Sequence, residues 1–556
     1  MKKTLIFCLL FSIIISVMQS CKSDRALLTT GKILLTSESG DKIAEKSNVR
    51  FARGDAEGTA IIIDPGQIRQ TMDGIGSSVT ESSAFVLARL EPSQRAEVME
   101  ALFGEEGANF PITRTHIGAC DFSVEGKYSY ADKPGDTDLE SFSLEPDKAG
   151  FSPAKYPGII DETYDLLPMI KEALQIKSRQ KDSILQIVAS AWTAPAWMKD
   201  IEDWYVPGSA ENNYQGTGGT LKKEYKETYA RYLIRYLEAC RKEGIEIWAI
   251  TPVNEPHGNN GQWESMNFTP ETQNDFIKKY LGPGLKGSDH PNVKILIYDQ
   301  NRDGLERWAD GILGDPETAQ YVYGTAVHWY ESTFRVYEDV FERVHEKYPN
   351  HAILHTEGCI DDLGKPAPAG ITDPEKFKEE NWFNNDSFWW NPNATDWGYS
   401  ATWEGIKQED HPIYTPVHRY ARNIIVSIDH WMRGWIDWNA VLDHNGGPNH
   451  AGNYCGAPVM INTETKEVYY TPVYYILAQF SRTIRPGDRA VATRKKAEGL
   501  DPDALHACAT INDDGMLAVQ LLNTTKKEIP LSLQVKGQHA VITSPANSLM
   551  TVQIQL

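Results

Sequence analysis

Eight short apolar runs, separated by longer segments with helical spacing, are the feature that most constrains how this chain folds. One such helical segment is 225–243, where Tyr229, Tyr232, Leu233 and Tyr236 recur at intervals of three and four. Strands that alternate with helices favour a parallel sheet, and eight such units are the number that closes a barrel. We therefore predict an α/β fold, a (β/α)8 TIM barrel. Its strands are expected in the runs 72–76, 112–117, 184–192, 245–253, 293–298, 326–330, 353–356 and 434–438.

Nearly every run is followed by residues that a hydrophobic core would not select. Glu255 follows the fourth run and Glu357 the seventh, and either charge is costly to bury without a partner or a function. In a TIM barrel the carboxyl ends of the strands share one face, where active sites lie. The pattern predicts a functional site at that face. The polar and aromatic residues at the strand ends are Glu81, Trp192, Asn254, Glu255, Asp299, Gln300, His328, Trp329, Tyr330, Glu357, Asp437, Trp438 and Asn439.

The N-terminus has the pattern of an export signal. A basic start, Met1-Lys2-Lys3, precedes an apolar stretch over 5–17 that is too short to span a bilayer as a mature helix. Ser20 directly before Cys21 resembles a bacterial lipobox, in which the cysteine is lipidated. We expect an exported lipoprotein of the cell surface or periplasm, anchored only through Cys21; the alternative is secretion after cleavage nearby.

The spacing of apolar residues changes near residue 470. Apolar alternation over 518–522, 528–535 and 540–544, with a turn at Asp513-Asp514-Gly515, is typical of antiparallel strands. We predict a signal peptide over 1–20, a tether over 21–50, N-terminal sandwich strands over 51–70, the barrel over 71–470 and a C-terminal β-sandwich over 471–556.

Charge and cysteine content exclude several classes of partner. Lys and Arg number 55 against 76 Asp and Glu, a net charge of −21 that repels nucleic acid and anionic lipid headgroups. Beyond Cys8 and Cys21 the chain has five cysteines and no CxxC pair, which indicates neither a disulfide framework nor a zinc site. The 15 Trp, 25 Tyr and 17 Phe, many beside polar residues, suit a sugar ligand.

Glu255 and Glu357 are the leading candidates for chemistry. Two carboxyl groups about 5 to 5.5 Å apart perform retaining glycoside hydrolysis, one as nucleophile and one as acid and base. Spacing along the chain does not measure that distance, and either residue alone is as consistent with a structural ion pair. Their shared position at strand ends favours chemistry.

Several motifs together resemble glycoside hydrolase family 30, which includes glucosylceramidases and bacterial β-1,6-glucanases. The resemblance runs from about residue 61 to the C-terminus. The motifs are Asn254-Glu255-Pro256, Cys120-Asp121-Phe122-Ser123, Ala189-Ser190-Ala191-Trp192, Pro195-Ala196-Trp197 and Trp435-Ile436-Asp437-Trp438-Asn439. This resemblance implies a barrel fused to a β-sandwich built from both chain ends, and double displacement with retention, without a metal or organic cofactor.

The resemblance also implies roles for individual residues. Glu255 matches the acid/base, Glu357 the nucleophile, and Asn254 the residue that binds the sugar 2-hydroxyl. Arg114 matches an arginine that keeps the nucleophile ionised. The remaining substrate-binding candidates are Asp121, Trp192, His328, Tyr330 and Trp438. The competing interpretation of each of these is a packed aromatic ring or a satisfied polar group of the core.

Two departures from the family pattern bear on specificity. Glu81 stands where we expect an aspartate that binds sugar hydroxyls, so the −1 sugar or its depth is expected to differ. A long segment between Cys359 and Glu404 should either overhang the barrel mouth as outer subsites or pack on the barrel wall. Its aromatic residues are Trp382, Phe388, Trp389, Trp390, Trp397 and Trp403.

The sequence thus predicts a retaining β-glycosidase that acts on β-glucosidic linkages. Export favours β-1,6-glucan over a sphingolipid such as glucosylceramide. The alternatives are a β-xylosidase or β-fucosidase of the same family and, from another class, a non-catalytic glycan-binding surface lipoprotein.

Overall fold

The computed structural model describes residues 30–55, 58–210, 216–259, 261–360, 382–392, 394, 405–497 and 499–556. The predicted signal segment, Cys21, Trp397 and Trp403 lie outside these residues. No helix among the described residues is long and apolar enough to cross a membrane.

Twenty-one strands and twelve α-helices make up the described chain. The strands are β1 (Gly31–Ser37), β2 (Ala44–Val49), β3 (Ala52–Arg53), β4 (Ala60–Thr71), β5 (Gly74–Ser77), β6 (Ile112–Ile117), β7 (Gln186–Ala191), β8 (Ala249–Thr251), β9 (Lys294–Asn301), β10 (Val322–His328), β11 (Ala352–Glu357), β12 (Met432–Asp437), β13 (Val441–Asp443), β14 (Val459–Ile461), β15 (Val468–Tyr470), β16 (Arg489–Lys496), β17 (Leu505–Ile511), β18 (Met516–Asn523), β19 (Ile529–Val535), β20 (Gln538–Ser544) and β21 (Ser548–Gln555). The helices are α1 (Glu81–Leu87), α2 (Pro92–Phe103), α3 (Leu166–Ser178), α4 (Lys226–Lys242), α5 (Pro270–Phe276), α6 (Gly282–Gly287), α7 (Leu305–Leu313), α8 (Pro316–Ala319), α9 (Glu338–Lys347), α10 (Asp386–Trp389), α11 (Pro416–Asp429) and α12 (Pro472–Thr483).

Strands β5 to β12 form the predicted barrel. They are hydrogen-bonded in the order β5-β12-β11-β10-β9-β8-β7-β6, and every neighbouring pair is parallel. Val79, two residues after β5, donates its backbone N–H to Arg114 O of β6 at 2.8 Å, which brings the two edge strands of the sheet together. Each of the eight predicted runs overlaps one of these strands, so the barrel prediction is confirmed. Inward-facing apolar residues such as Val188, Leu296 and Ile436 are fully buried in its interior.

Both chain ends build the β-sandwich, also as predicted. Its ten strands follow the order β2-β1-β21-β18-β17-β16-β4-β19-β20-β3. Residues 31–49, which the sequence pattern assigns to a tether, instead form β1 and β2. Strand β1 buries Ile33, Leu34 and Leu35 and pairs with β21 along its whole length. The sequence pattern did not predict these two strands because β2, the partner of β1, is a polar edge strand without periodicity.

The predicted boundary between barrel and sandwich, at residue 470, is wrong, because the barrel domain continues through helix α12. Helix α12 lies between the two domains and joins them through the fully buried side chain of Gln479. That amide accepts a hydrogen bond from Thr36 of β1 at 2.7 Å and donates one to Thr551 of β21 at 2.8 Å. The barrel and the sandwich are therefore connected by a shared polar contact as well as by chain continuity.

The described part of the segment after β11 packs against the body of the protein. In 382–392 the rings of Trp382, Phe388, Trp389 and Trp390 are buried. Around them, Phe383 lies 5.6 Å from the ring of Tyr469 in β15, and Asp386 accepts a hydrogen bond from that tyrosine at 2.9 Å. For these residues the structure agrees with packing on the barrel wall. The rest of the segment, where outer subsites are also predicted, lies outside the residues that the structure describes.

Candidate active site

The two glutamates singled out in the sequence lie together at the carboxyl-terminal face of the barrel. Glu255 follows β8, and Glu357 is the last residue of β11. One carboxylate oxygen of each lies within 4.8 Å of the other. Retaining glycosidases hold their carboxyl groups about 5 to 5.5 Å apart, whereas inverting ones need about 6.5 to 9.5 Å to admit a water. The spacing is therefore that of direct attack on a sugar carbon.

Arg114 of β6 fixes the orientation of Glu357. Its Nη1 donates to Glu357 Oε2 at 2.6 Å, while Nη2 donates to Asp299 at 2.8 Å and to Asn254 Oδ1 at 2.7 Å. The guanidinium is fully buried, so its charge is little screened. Because the side-chain carbonyl of Asn254 accepts a hydrogen bond from Arg114, its NH2 group is the part that can donate to a sugar hydroxyl.

Asp299, the residue that follows Tyr298 in β9, organises the cations of the site. It accepts hydrogen bonds from Thr251 at 2.8 Å and Thr356 at 2.7 Å, besides those from Arg114 and His328. Burial alone would raise the pKa of this carboxyl, but the charge of Arg114 and the hydrogen bond from His328 hold it well below its ordinary value. Asp299 is therefore ionised and acts through the groups it positions. The sequence marks it as a strand end but gives no sign of this role.

His328, the last residue of β10, connects Asp299 to Glu255. Its Nε2 lies 3.1 Å from Asp299 Oδ1, and its Nδ1 lies 3.2 Å from Glu255 Oε1. Burial would lower the pKa of His328, but the charge of Glu357 and the hydrogen bonds to Asp299 and Glu255 raise it to about 10. The imidazolium donates to both carboxylates and stabilises Glu255 once that group has lost its proton.

The charge state of Glu357 is set by its burial and by the charged groups around it. Burial raises the pKa of this carboxyl above its ordinary value, although the charges of His328 and Arg114 lower it; the charge of Glu255 adds to the increase. Tyr330 O–H donates to Glu357 Oε1 at 3.1 Å, which favours the ionised form. Glu357 therefore faces two cations, Arg114 and His328, and one neighbouring carboxyl group, that of Glu255.

Trp192 and Trp438 form a stacked aromatic wall beside the arginine. Their ring centroids lie 5.3 Å apart at an interplanar angle of 25°, and the Arg114 guanidinium lies 4.9 Å and 5.5 Å from the two rings. Among the described atoms the indole N–H of Trp438 has no hydrogen-bond partner although it is buried. A buried donor without a partner at a binding site suggests that the substrate accepts its hydrogen bond.

Asp121 is a further carboxylate close to the pair. Burial and then the charge of Glu357 raise its pKa to about 7, with Glu255 contributing in the same direction. Asn453, in the loop after β13, donates to Asp121 Oδ2 at 2.9 Å. Asn453 therefore belongs to the candidate site, although neither its position in the chain nor its surroundings in the sequence predicted it.

Glu81 is held by the same loop that carries Asp121. Its Oε2 accepts the backbone N–H of Val124 at 2.9 Å. Burial, followed by the charges of Asp147 and Asp165, raises its pKa well above the ordinary value. Within the described residues no hydrogen bond links Glu81 to the catalytic pair. Its role in sugar binding remains a prediction.

The backbone at three strand ends is in the left-handed region. Glu255, Asp299 and Asn439 have φ values of 47°, 64° and 67°. Such conformations cost non-glycine residues about 1 to 3 kcal/mol each and persist where the surroundings enforce them. At Glu255 the enforcing contact is a hydrogen bond from its backbone N–H to Asp299 O at 2.9 Å.

The group of Glu255, His328 and Glu357 is compact enough to offer ligand atoms to a metal. Both ring nitrogens of His328 are already engaged, by Asp299 and Glu255. Both oxygens of Glu357 are likewise engaged, by Arg114 and Tyr330. With an arginine and an imidazolium beside it, the group suits a glycosidase pair better than a cation.

Comparison with known proteins gives a consistent family. The TIM-barrel domain model of glycosyl hydrolase family 30 matches residues 72–366 and 391–484, and the β-sandwich domain model of the same family matches 491–552. The mouse (Mus musculus) lysosomal acid glucosylceramidase is 29% identical over 86% of this chain and 79% of its own. An endo-1,6-β-D-glucanase of Trichoderma harzianum is 24% identical over 87% and 84%. Among solved structures, the endo-β1,6-glucanase BT3312 superposes with a TM-score of 0.70 at 25% identity, covering 94% of this chain and 99% of that one.

Proposed function

The chain belongs to glycosyl hydrolase family 30 and is a retaining hydrolase of β-glucosidic linkages, and we propose that its substrate is a β-1,6-linked glucan. The observation that carries the mechanism is the pair of carboxylates whose oxygens lie within 4.8 Å, one of them bound by Arg114 at 2.6 Å. The identity of the glycan rests on the substrate named for several relatives and on the leaving-group side of the site.

The first step forms a covalent glycosyl-enzyme. Glu357, ionised beside Arg114, attacks the anomeric carbon through one carboxylate oxygen while Glu255 donates its proton to the departing glycosidic oxygen. The C–O bond of the linkage breaks as the ester bond to Glu357 forms. His328 then stabilises the carboxylate that remains on Glu255, since its Nδ1 lies 3.2 Å away.

The second step releases the sugar. Glu255, now a base, removes a proton from a water molecule whose oxygen attacks the anomeric carbon from the face that the leaving group vacated. The ester bond breaks, Glu357 regains its negative charge and Glu255 regains its proton. Two inversions give net retention.

Two classes of substrate fit the family resemblance, and the structure favours the more polar leaving group. The cavity next to the residues that follow Glu255 is lined by apolar side chains such as Leu221 and Phe268 and by the polar groups of Lys223, Asn267 and Arg307. A hydrated sugar leaving group bonds to the polar groups and packs on the apolar ones, whereas the two alkyl chains of ceramide would leave the charged groups without partners. Glucosylceramide is the second candidate because the glucosylceramidase relatives reach 29% identity.

The test is a substrate panel with analysis of the products. Linear β-1,6-glucan, β-1,3-glucan, xylan, glucosylceramide in detergent and aryl β-glucosides are each incubated with the enzyme. We expect the highest kcat/KM on the β-1,6-glucan, and NMR of the first products should show the β anomer. Preference for glucosylceramide by tenfold or more would replace the glucan proposal, while initial release of the α anomer would contradict the displacement steps.

We further propose that the protein acts outside the cytoplasm, held by a lipid on Cys21. The N-terminal pattern described above supports this location. Mass spectrometry of the mature N-terminus, with Cys21→Ser as the comparison, tests it. A mature chain that begins elsewhere, or keeps its first residues, would contradict the anchor.

A further inference from the structure

A cavity of about 950 Å³ lies beside Pro256 and His257, the two residues that follow the acid/base Glu255. These two residues form one wall. The others come from residues 216–226, which end the β7–α4 connection and begin α4, from residues 267–272 around the start of α5, and from Arg307 in the first turn of α7. In a barrel the loops after the strands and the first turns of the following helices lie on one face. The cavity therefore opens on the face that carries Glu255 and Glu357.

Its position identifies what it holds. The acid/base protonates the oxygen of the leaving group, so the space beside Glu255 belongs to the part of the substrate that departs. This assignment rests on the proposed function. A volume of about 950 Å³ accommodates one or more sugar rings.

The charge of this cavity is opposite to that of the whole protein. Of the residues that line it, three are Lys or Arg and none is Asp or Glu, in a chain of net charge −21. Among the described residues, Lys226 is paired with Asp275 at 2.9 Å, whereas Lys223 and Arg307 form no ion pair. The first turns of α4 and α7 add partial positive charge at the same place.

Carboxylates around the cavity offset only part of this charge. Asp275 neutralises Lys226, and Asp303 lies near His257 on the α7 side. Glu271 is close enough to Arg307 to feel its charge, yet its own hydrogen bond is to Thr269. Two cations thus remain available to a ligand.

We propose that this cavity is a leaving-group subsite for an anionic sugar or aglycone, one that carries a carboxylate, sulfate or phosphate contacted by Lys223 and Arg307. Among the proposed β-1,6-linked glucans, the site selects those whose leaving-group unit carries an acidic substituent. Exposed ammonium and guanidinium groups bind such anions through charge-assisted hydrogen bonds that weaken as salt concentration rises.

The test compares two leaving groups of nearly equal shape. 4-Methylumbelliferyl β-glucoside is neutral, and 3-carboxyumbelliferyl β-glucoside carries a carboxylate. Their kcat/KM values are measured for the wild type, for the double variant Lys223→Gln with Arg307→Gln, and for a control with equal charge change, Lys286→Gln with Arg494→Gln. For each substrate, kcat/KM of the variant is divided by kcat/KM of the wild type, which removes the intrinsic difference in reactivity between the two leaving groups.

We expect the cavity variant to lower kcat/KM for the carboxylated glucoside about tenfold more than for the neutral one, and 0.5 M NaCl to erase this difference. The control pair should affect both substrates equally. Equal losses for the two substrates in the cavity variant, or no loss, would overturn the proposal while leaving the glycosidase function intact.

A second measurement does not need turnover. Calorimetry with glucuronic acid should show binding to the wild type that is weakened at least tenfold in the cavity variant but not in the control. If neither umbelliferyl glucoside is hydrolysed, the proposed activity fails, whereas charge-dependent binding of glucuronic acid would still support the subsite. Absence of that binding in the wild type would count against it.

Discussion

His328 lies between Glu255 and Asp299, with Nδ1 3.2 Å from the first carboxylate and Nε2 3.1 Å from the second. Asp299 in turn binds Arg114 Nη2, while Nη1 of the same arginine donates to Glu357. The acid/base and the nucleophile are thus joined through two cations and one buried carboxylate. The negative charge can move from one glutamate to the other while the imidazolium and guanidinium keep their positions.

Replacing the nucleophile should abolish turnover. We expect Glu357→Ala to lower kcat by about 10⁴-fold or more, because no other described carboxylate is placed to form the ester. Added azide should restore hydrolysis of 2,4-dinitrophenyl β-glucoside and yield the α-glucosyl azide, since azide attacks from the face that Glu357 occupied. A β-glucosyl azide from this variant would assign the nucleophile role to Glu255.

Replacing the acid/base should produce an effect that depends on the leaving group. Dinitrophenolate departs without protonation, whereas a sugar alkoxide does not. For Glu255→Gln we therefore expect kcat/KM to fall by about 10²-fold or more on a glucan oligomer but by much less on 2,4-dinitrophenyl β-glucoside. Equal losses on both substrates would show that Glu255 acts in another way.

The ends of the barrel strands were predictable because the rules are local. The alternation of apolar runs with helical segments predicts parallel strands, and the carboxyl ends of parallel strands share one face. That rule predicted that Glu255 and Glu357, about 100 positions apart in the sequence, lie together. Asp299 was seen only as a strand end, since its role depends on cations supplied by β6 and β10. Asn453 could not be found, because its contact with Asp121 joins two loops 332 positions apart. Strand β1 was missed because its pairing with β21 spans nearly the whole chain.

The pKa of His328 predicts how stability depends on pH. Its folded-state pKa is about 10, above the ordinary 6.5, so its contribution is fully present below about pH 6.5 and is lost as pH rises toward 10. Over that window the free energy of unfolding should fall by up to about 1.4 kcal/mol per pH unit from this group alone. Urea unfolding at pH 6, 8 and 9.5 measures it.

The matched variant is His328→Gln, which keeps a side-chain donor but does not titrate. Other groups with shifted pKa values, such as Asp121 and Lys199, contribute to both proteins and largely cancel in the difference. The difference in free energy of unfolding between wild type and variant should shrink as pH rises from 6.5 to 9.5. A difference that is constant over this range would mean that His328 is neutral in the folded protein.

Asp299 should matter for stability as well as for catalysis. Asp299→Ala leaves Arg114 and His328 buried without their shared partner, which we expect to cost about 3 to 5 kcal/mol of unfolding free energy. Asp299→Asn keeps the shape and some hydrogen bonds, so it should fold but lower kcat, with little change in KM. If Asp299→Asn instead raised KM alone, the residue would have to contact the substrate.

Trp389 lies in the segment that follows the nucleophile strand. Its ring is 1% exposed and lies 5.8 Å from that of Trp382, so the two belong to the packed wall described above. Deleting 365–380 spares the buried rings of this segment and is the cleaner test of outer subsites, because it removes none of the described packing.

Trp389→Ala should destabilise the protein by about 3 to 5 kcal/mol through the cavity it leaves, with kcat/KM on short aryl glucosides nearly unchanged below the melting temperature. Should Trp389→Ala lower activity on long glucans while leaving thermal stability intact, the segment would form part of the substrate cleft, and its burial against β15 would be incidental to function.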